Sequence, residues 1–267
     1  PSVAGVLIDT VGWRGIFFLN LPVALAAAYM AWKVLAETPL QRQIHALDLP
    51  GMLTLFATAV TLILGLQQIA KSGVTGVSLA IFPVAAISAV LLVHFERKSP
   101  APLLDLSLFR IRVLTTGVLS HLFVVISHSS TFFLLPFYLQ GILHFSPTRV
   151  ALTVIFFSLV IVFLAPLGGW LGDRLGSRLL CTSGSALSLI SMLGFSRLGE
   201  DSDYISVMIP LMILGVGWSI FQAPNLSAIF SAVEPRYVGA VSGISLTSAN
   251  IANAVGVAIG SVLFLRW

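Results

Sequence analysis

The stretch Ala151-Leu-Thr-Val-Ile-Phe-Phe-Ser-Leu-Val-Ile-Val-Phe-Leu-Ala-Pro-Leu-Gly-Gly-Trp170 contains no Asp, Glu, Lys or Arg. After the polar segment Leu171-Gly-Asp173-Arg174-Leu-Gly176-Ser-Arg178, a second uncharged stretch runs from Leu179 to Ser196. About 20 such residues, rising roughly 1.5 Å each, cross a hydrocarbon core roughly 30 Å thick. The segment therefore reads as two membrane-crossing helices joined by a glycine-rich, charged turn, Gly169 to Arg178, which is the kind of connection a moving bundle uses as a hinge.

Working outward, windows of comparable apolarity fall near 15–35, 49–69, 77–95, 113–139, 205–230 and 238–265, making eight predicted spans with 151–170 and 179–196. They are separated by polar or Gly/Pro clusters such as Glu37 to Asp48, Glu96 to Arg112 and Glu234 to Tyr237. Hydrophobic residues make up 57% of the chain and charged ones 9%, which excludes an ordinary soluble domain. The apolar runs far exceed a barrel strand and lack period-two alternation, so the expected fold is all-α, a polytopic transmembrane helical bundle. Prolines inside the windows, Pro22, Pro83, Pro136, Pro166, Pro210 and Pro224, predict bent helices.

The net charge of +4 does not indicate a nucleic-acid partner, because the basic residues are scattered over short loops. They sort by side instead. One set of alternate loops holds Lys33, Arg42, Arg97, Lys98, Arg110, Arg112, Arg174, Arg178 and Arg236; the other holds Arg14, Lys71, Arg149, Arg197 and Arg266. The positive-inside rule places the first set, with the Asp173 turn, in the cytoplasm and the loop of Glu200, Asp201 and Asp203 outside. The single cysteine, Cys181, forms no intrachain disulfide. Neither a phosphate-cradling loop nor a metal-ligand cluster is evident, so no cofactor is expected.

Polar residues within spans are the candidates for a cavity, since each is costly against lipid. His121, His128 and Phe132 share one helical face, as do Trp218, Gln222 and Asn225, and Asn250 and Asn253 share a third. His128 is nearest mid-membrane, and an imidazole changes charge in the physiological range, so it is the candidate proton-linked residue. Interhelical hydrogen bonding accounts for the asparagines and Gln222 equally well. An enzyme built on His121 and His128 would need carboxylate or metal partners at membrane depth, and none is visible.

These residues resemble the major facilitator superfamily and, within it, the fourteen-span drug:proton antiporters. The turn is similar to the superfamily signature Gly-x-x-x-Asp-Arg-x-Gly-(Arg/Lys)-(Arg/Lys) at Gly169, Asp173, Arg174, Gly176 and Arg178, with Ser177 departing from it. Pro1-Ser-Val-Ala-Gly5 resembles the second half of the antiporter signature Gly-Pro-x-x-Gly-Gly, with Ala4 in a glycine position. Trp13-Arg14-x-x-Phe17-x-x-Asn20-x-Pro22, Asp48-x-x-Gly51, Pro102-Leu-Leu-Asp105-Leu-x-Leu-Phe109-Arg110, Pro224-Asn225 and Ser242-Gly243 follow in the order the group shows.

The resemblance implies a piece running from the end of span five to span thirteen: residues 1–35 ending the N-terminal bundle, 36–111 a central linker region with two extra spans, and 112–267 a C-terminal bundle without its last span. It also implies proton-coupled export of small amphipathic or cationic compounds by alternating access, in a monomeric multi-pass protein of the plasma (inner) membrane. Gly169 to Arg178, with Pro1 and Gly5, would be gating motifs, and the partners would be a small-molecule substrate, protons and the lipid bilayer. A carrier for a specific metabolite or siderophore is the alternative. No Asp or Glu lies deep in any span, and at Ala249, where many bacterial members have an arginine, this chain departs, so no charge preference is carried over.

Overall fold

The structure, a computed structural model, describes residues 14–34, 48–99 and 106–264. Among them there is no strand. Eight helices follow one another: α1 (Gly15–Val34), α2 (Leu49–Ser72), α3 (Gly76–Lys98), α4 (Arg112–Phe137), α5 (Pro147–Leu175), α6 (Ser177–Phe195), α7 (Tyr204–Ser231) and α8 (Val238–Phe264). Short 3-10 segments, Leu106–Arg110 and Pro235–Tyr237, lead into α4 and α8. Seven of these helices, α2 to α8, are long and apolar enough to cross a membrane. The 20-residue α1 occupies the first predicted window.

Helix starts are written in short polar side chains. Asp48 Oδ1 accepts from the Gly51 amide at 2.9 Å and opens α2. Thr75 and Ser78 form a capping box at α3, and the side chains of Ser146 and Asp203 cap α5 and α7. The six intraspan prolines all lie inside continuous helices. Just after Pro136, α4 widens into a π turn, Tyr138–Ile142, so this span extends beyond its predicted end.

The expected loop from Gly169 to Arg178 is mostly helix. Glycines cost a helix only about 1 kcal/mol each, and nothing from Gly169 to Leu175 forbids the backbone hydrogen bonds that a membrane demands. Gly176 alone breaks the path, with φ at 84°, a left-handed conformation that disfavours any side chain.

Helices α4 to α8 pack as a bundle in which α6 lies along α7, α5 along α7 and α4 along α8, while α2 pairs with α3 and also touches α8. The α6–α7 seam is closed by facing glycines. A Cβ on Gly184 would sit 2.7 Å from the Gly217 carbonyl oxygen, and one on Gly217 would sit 2.8 Å from that of Gly184. Without a hydrophobic force between helices in lipid, such close backbone approach is what holds them. Two buried apolar clusters plug the bundle at opposite ends. Leu114, Val118, Ile229 and Val241 fill the end near Arg112, and Leu135, Leu139, Val207 and Leu211 fill the other. Large apolar side chains face outward, among them Phe123, Phe163, Leu189 and Leu246, as lipid contact requires.

A polar cleft at mid-depth

Between the two plugs α4, α5, α7 and α8 leave a cleft of about 430 Å³, lined by His121, Val125, His128, Ser129, Phe132, Phe157, Trp218, Gln222, Ala249 and Asn253. His121 and His128 occur seven residues apart on α4, two helical turns, and so point the same way. Trp218 and Gln222 face them from α7, which runs antiparallel. The His128 and Trp218 rings lie 4.7 Å apart and Phe132 meets Phe157 edge to face at 4.6 Å, giving the cleft an aromatic wall. Among the described residues no Asp, Glu, Lys or Arg lines it.

His128 Nδ1 lies 2.8 Å from the Val124 carbonyl oxygen one turn earlier. A carbonyl only accepts, so Nδ1 carries the hydrogen and donates, which leaves Nε2 a bare acceptor in the neutral ring. That Nε2 has no partner among the described residues, although the residue is only 6% exposed. His121, 5% exposed, has the Gln222 side chain as its hydrogen-bonding neighbour, although its Nε2 and the Gln222 Oε1 are not in good hydrogen-bond geometry. The bare His128 Nε2 thus opens on the cleft beside the paired His121 ring and Gln222 amide.

Of the predicted cavity residues, His121, His128, Phe132, Trp218, Gln222 and Asn253 are brought together here. Asn225 is not on the wall. It is 2% exposed; its Nδ2 donates to the Gly117 carbonyl at 3.2 Å, and Ser120 Oγ donates to its Oδ1 at 3.4 Å, tying α7 to α4. Asn250 is exposed and lies off the cleft, while Asn253 accepts from the Ser129 hydroxyl across the α4–α8 contact. Phe157 and Val125 line the cleft unanticipated, because an apolar residue in an apolar run gives no sign of which way it faces.

The turn residues lie at the membrane edge. Asp173 and Arg174 close the last turn of α5, exposed, with the Arg174 guanidinium 4.1 Å over the Trp170 ring. Asp173 does not cap the next helix, since Gly176 is the N-cap of α6 and no side chain bonds there. Arg178 is exposed one residue into α6. Pro1 and Gly5 lie outside the described residues. A carboxylate the sequence did not flag is buried at the end of the α2–α3 pair. Glu96 is 4% exposed, and its Oε1 and Asp48 Oδ2 both lie within 2.9 Å of where a Cβ on Gly51 would stand.

A lipid-facing helical bundle with a polar cleft at its middle defines the class: a multi-pass integral membrane protein. Residues 1–257 match the Major Facilitator Superfamily, and the chain belongs to it. It is similar to the riboflavin transporter RibZ of Clostridioides difficile, 32% identical over 266 residues, which is 100% of this chain and 57% of the relative. The multidrug resistance protein Stp of Mycobacterium tuberculosis is 27% identical over 265 residues, 98% of this chain and 49% of the relative. The tetracenomycin C resistance and export protein of Streptomyces glaucescens is 25% identical over 264 residues, 98% and 49% respectively. The chain spans about half the length of the curated relatives it matches.

Proposed function

We propose that the protein to which this chain belongs is a proton-coupled transporter of the plasma membrane that exports small amphipathic or cationic compounds by alternating access, working as a monomer. The observation that carries this reading is the cleft: a space of about 430 Å³ at mid-depth, charge-free, with aromatic walls and buried lone pairs, between two apolar plugs. A site that must bind and release from both sides of a membrane belongs near the midplane, where rocking of one bundle against another opens it alternately. Two relatives named for multidrug resistance and for export support the direction.

In this scheme His128 is the proton-linked residue, since protonation at Nε2 changes it from acceptor to donor inside the cleft. Gly169, Asp173, Arg174, Gly176 and Arg178 form the cytoplasmic gate, and residues 36–111 carry two extra spans between an N-terminal and a C-terminal bundle. A second reading, a carrier for one metabolite, is favoured by the riboflavin transporter at 32% identity. Accumulation of a fluorescent amphipathic dye in cells expressing the full-length gene decides the matter. Lower accumulation that an uncoupler restores to the level of vector-only cells supports proton-driven export; accumulation indifferent to both the gene and the uncoupler rejects it.

A further inference from the structure

We infer that the cleft selects neutral, planar heteroaromatic ligands that carry ring N–H or hydroxyl donors on an edge, in preference to permanent cations. The inference rests on the transporter reading above and narrows its substrate class. It follows from what the cleft offers and what it lacks.

The cleft offers acceptors. His128 Nε2 is buried without a partner among the described residues, and beside it His121 and Gln222 are held to each other only in poor geometry, so the Gln222 Oε1 is free to take a better donor. The tautomer of His128 is set by its Nδ1 hydrogen bond to the Val124 carbonyl, so its free nitrogen presents a lone pair and not a hydrogen. A buried acceptor left unmet is costly, and a ligand donor that reaches it recovers that cost on binding. Trp218, Phe132 and Phe157 supply faces against which a flat ring system stacks.

What the cleft lacks is a counter-charge. Among the described residues no carboxylate lines it, and the acidic side chains on its own helices stand at their ends, Asp173 on α5 and Asp203 at the start of α7. A permanent cation entering this space would surrender its hydration for an aromatic face alone, without an anion to pair with. A neutral ring with edge donors surrenders less and satisfies the His128 Nε2 and the Gln222 Oε1.

The test compares three tricyclic probes of similar area by equilibrium dialysis against the purified full-length protein in lipid nanodiscs. They are lumichrome, which carries two ring N–H donors; its 1,3-dimethyl derivative, which has none; and 10-methylacridinium, a donorless permanent cation. Lumichrome is expected to bind at least tenfold more tightly than either of the others. Gln222→Met, close in volume, and His128→Phe are each expected to shrink the ratio of lumichrome affinity to that of the dimethyl compound toward one. Equal binding of lumichrome and its dimethyl derivative, or tighter binding of the acridinium, overturns the ligand class and leaves the export reading to the uncoupler assay. Failure of all three probes to bind overturns the cleft as an aromatic site, whatever that assay shows. The comparison of probes on the unaltered protein stands even where a variant does not fold.

Discussion

The Asp173 turn and the His128 cleft are both polar features of one bundle, and they differ in what they cost. Asp173, Arg174 and Arg178 sit at helix ends in contact with water, where charges are cheap and where Arg174 needs no more than the Trp170 ring beneath it. His128 lies at mid-depth with its Nε2 lone pair unmet, beside the poorly paired His121 and Gln222, and an unmet buried group costs about 1–3 kcal/mol. The comparison teaches that the conspicuous motif contributes little to holding the fold, while the inconspicuous cleft works against it. Polar groups that weaken the fold where they stand are the ones whose presence calls for a ligand.

The largest expected effect lies in neither region but in the seam that supports the cleft from behind. Gly217 on α7 sits one residue before Trp218, and Gly217→Val would drive a side chain into the backbone of α6, with Gly184 O 2.8 Å and Ser188 N 3.1 Å from the new Cβ. Neither atom belongs to a flexible side chain, so the helices must part, at a cost at or above the roughly 1–3 kcal/mol typical of overpacking. Loss of a monodisperse peak on size-exclusion chromatography in detergent is the expected result. A variant that elutes and melts like the parent would show that the seam does not hold the cleft, and the contrast between costly and cheap regions would lose its structural basis.

Asp173→Asn tests the cheap side. With no hydrogen bond or ion pair to its carboxylate among the described residues, removing the charge should alter stability by less than about 0.5 kcal/mol, the usual range for exposed sites. If the turn is a gate, transport should nonetheless fall about tenfold, which corresponds to about 1.4 kcal/mol in a conformational equilibrium. Dye efflux and thermal melting measured on the same preparation separate the two. A variant that melts early and transports in proportion would make Asp173 a structural residue after all, and erase the distinction.

How much of this was legible beforehand follows the same division. The helical spans and the prolines within them could be read directly, because a lipid solvent imposes length and apolarity on any chain that crosses it. The six residues from His121 to Asn253 that meet in the cleft could be shortlisted from polarity and helical spacing. Asn225 shows where that logic stops: it shares a face with Gln222 by spacing, yet it hydrogen-bonds to Gly117 across a contact that only packing defines. Phe157 and the buried Glu96 were hidden for the opposite reasons. One is apolar within an apolar run, and the other is a charge that spacing places at a helix end, where burial depends on the neighbouring helix.

The smallest effect concerns a second acidic residue at a helix boundary, Asp203, which does what Asp173 does not. Its Oδ1 accepts from the Ser206 hydroxyl at 2.5 Å and from the Ser206 amide at 2.9 Å, capping α7. Those bonds, the hydroxyl first, hold the carboxyl below its ordinary value. A lowered folded-state pKa means that the cap's contribution is complete above the ordinary carboxylate range, near pH 4, and is lost as pH falls through the depressed value. Asp203→Ala should therefore lower the melting temperature slightly at neutral pH, and the gap from the parent should close in acid as the parent weakens. A pH-independent difference at Asp203 would mean that its carboxylate does not hold the start of α7, and that the two carboxylates are not the contrasting pair their surroundings make them.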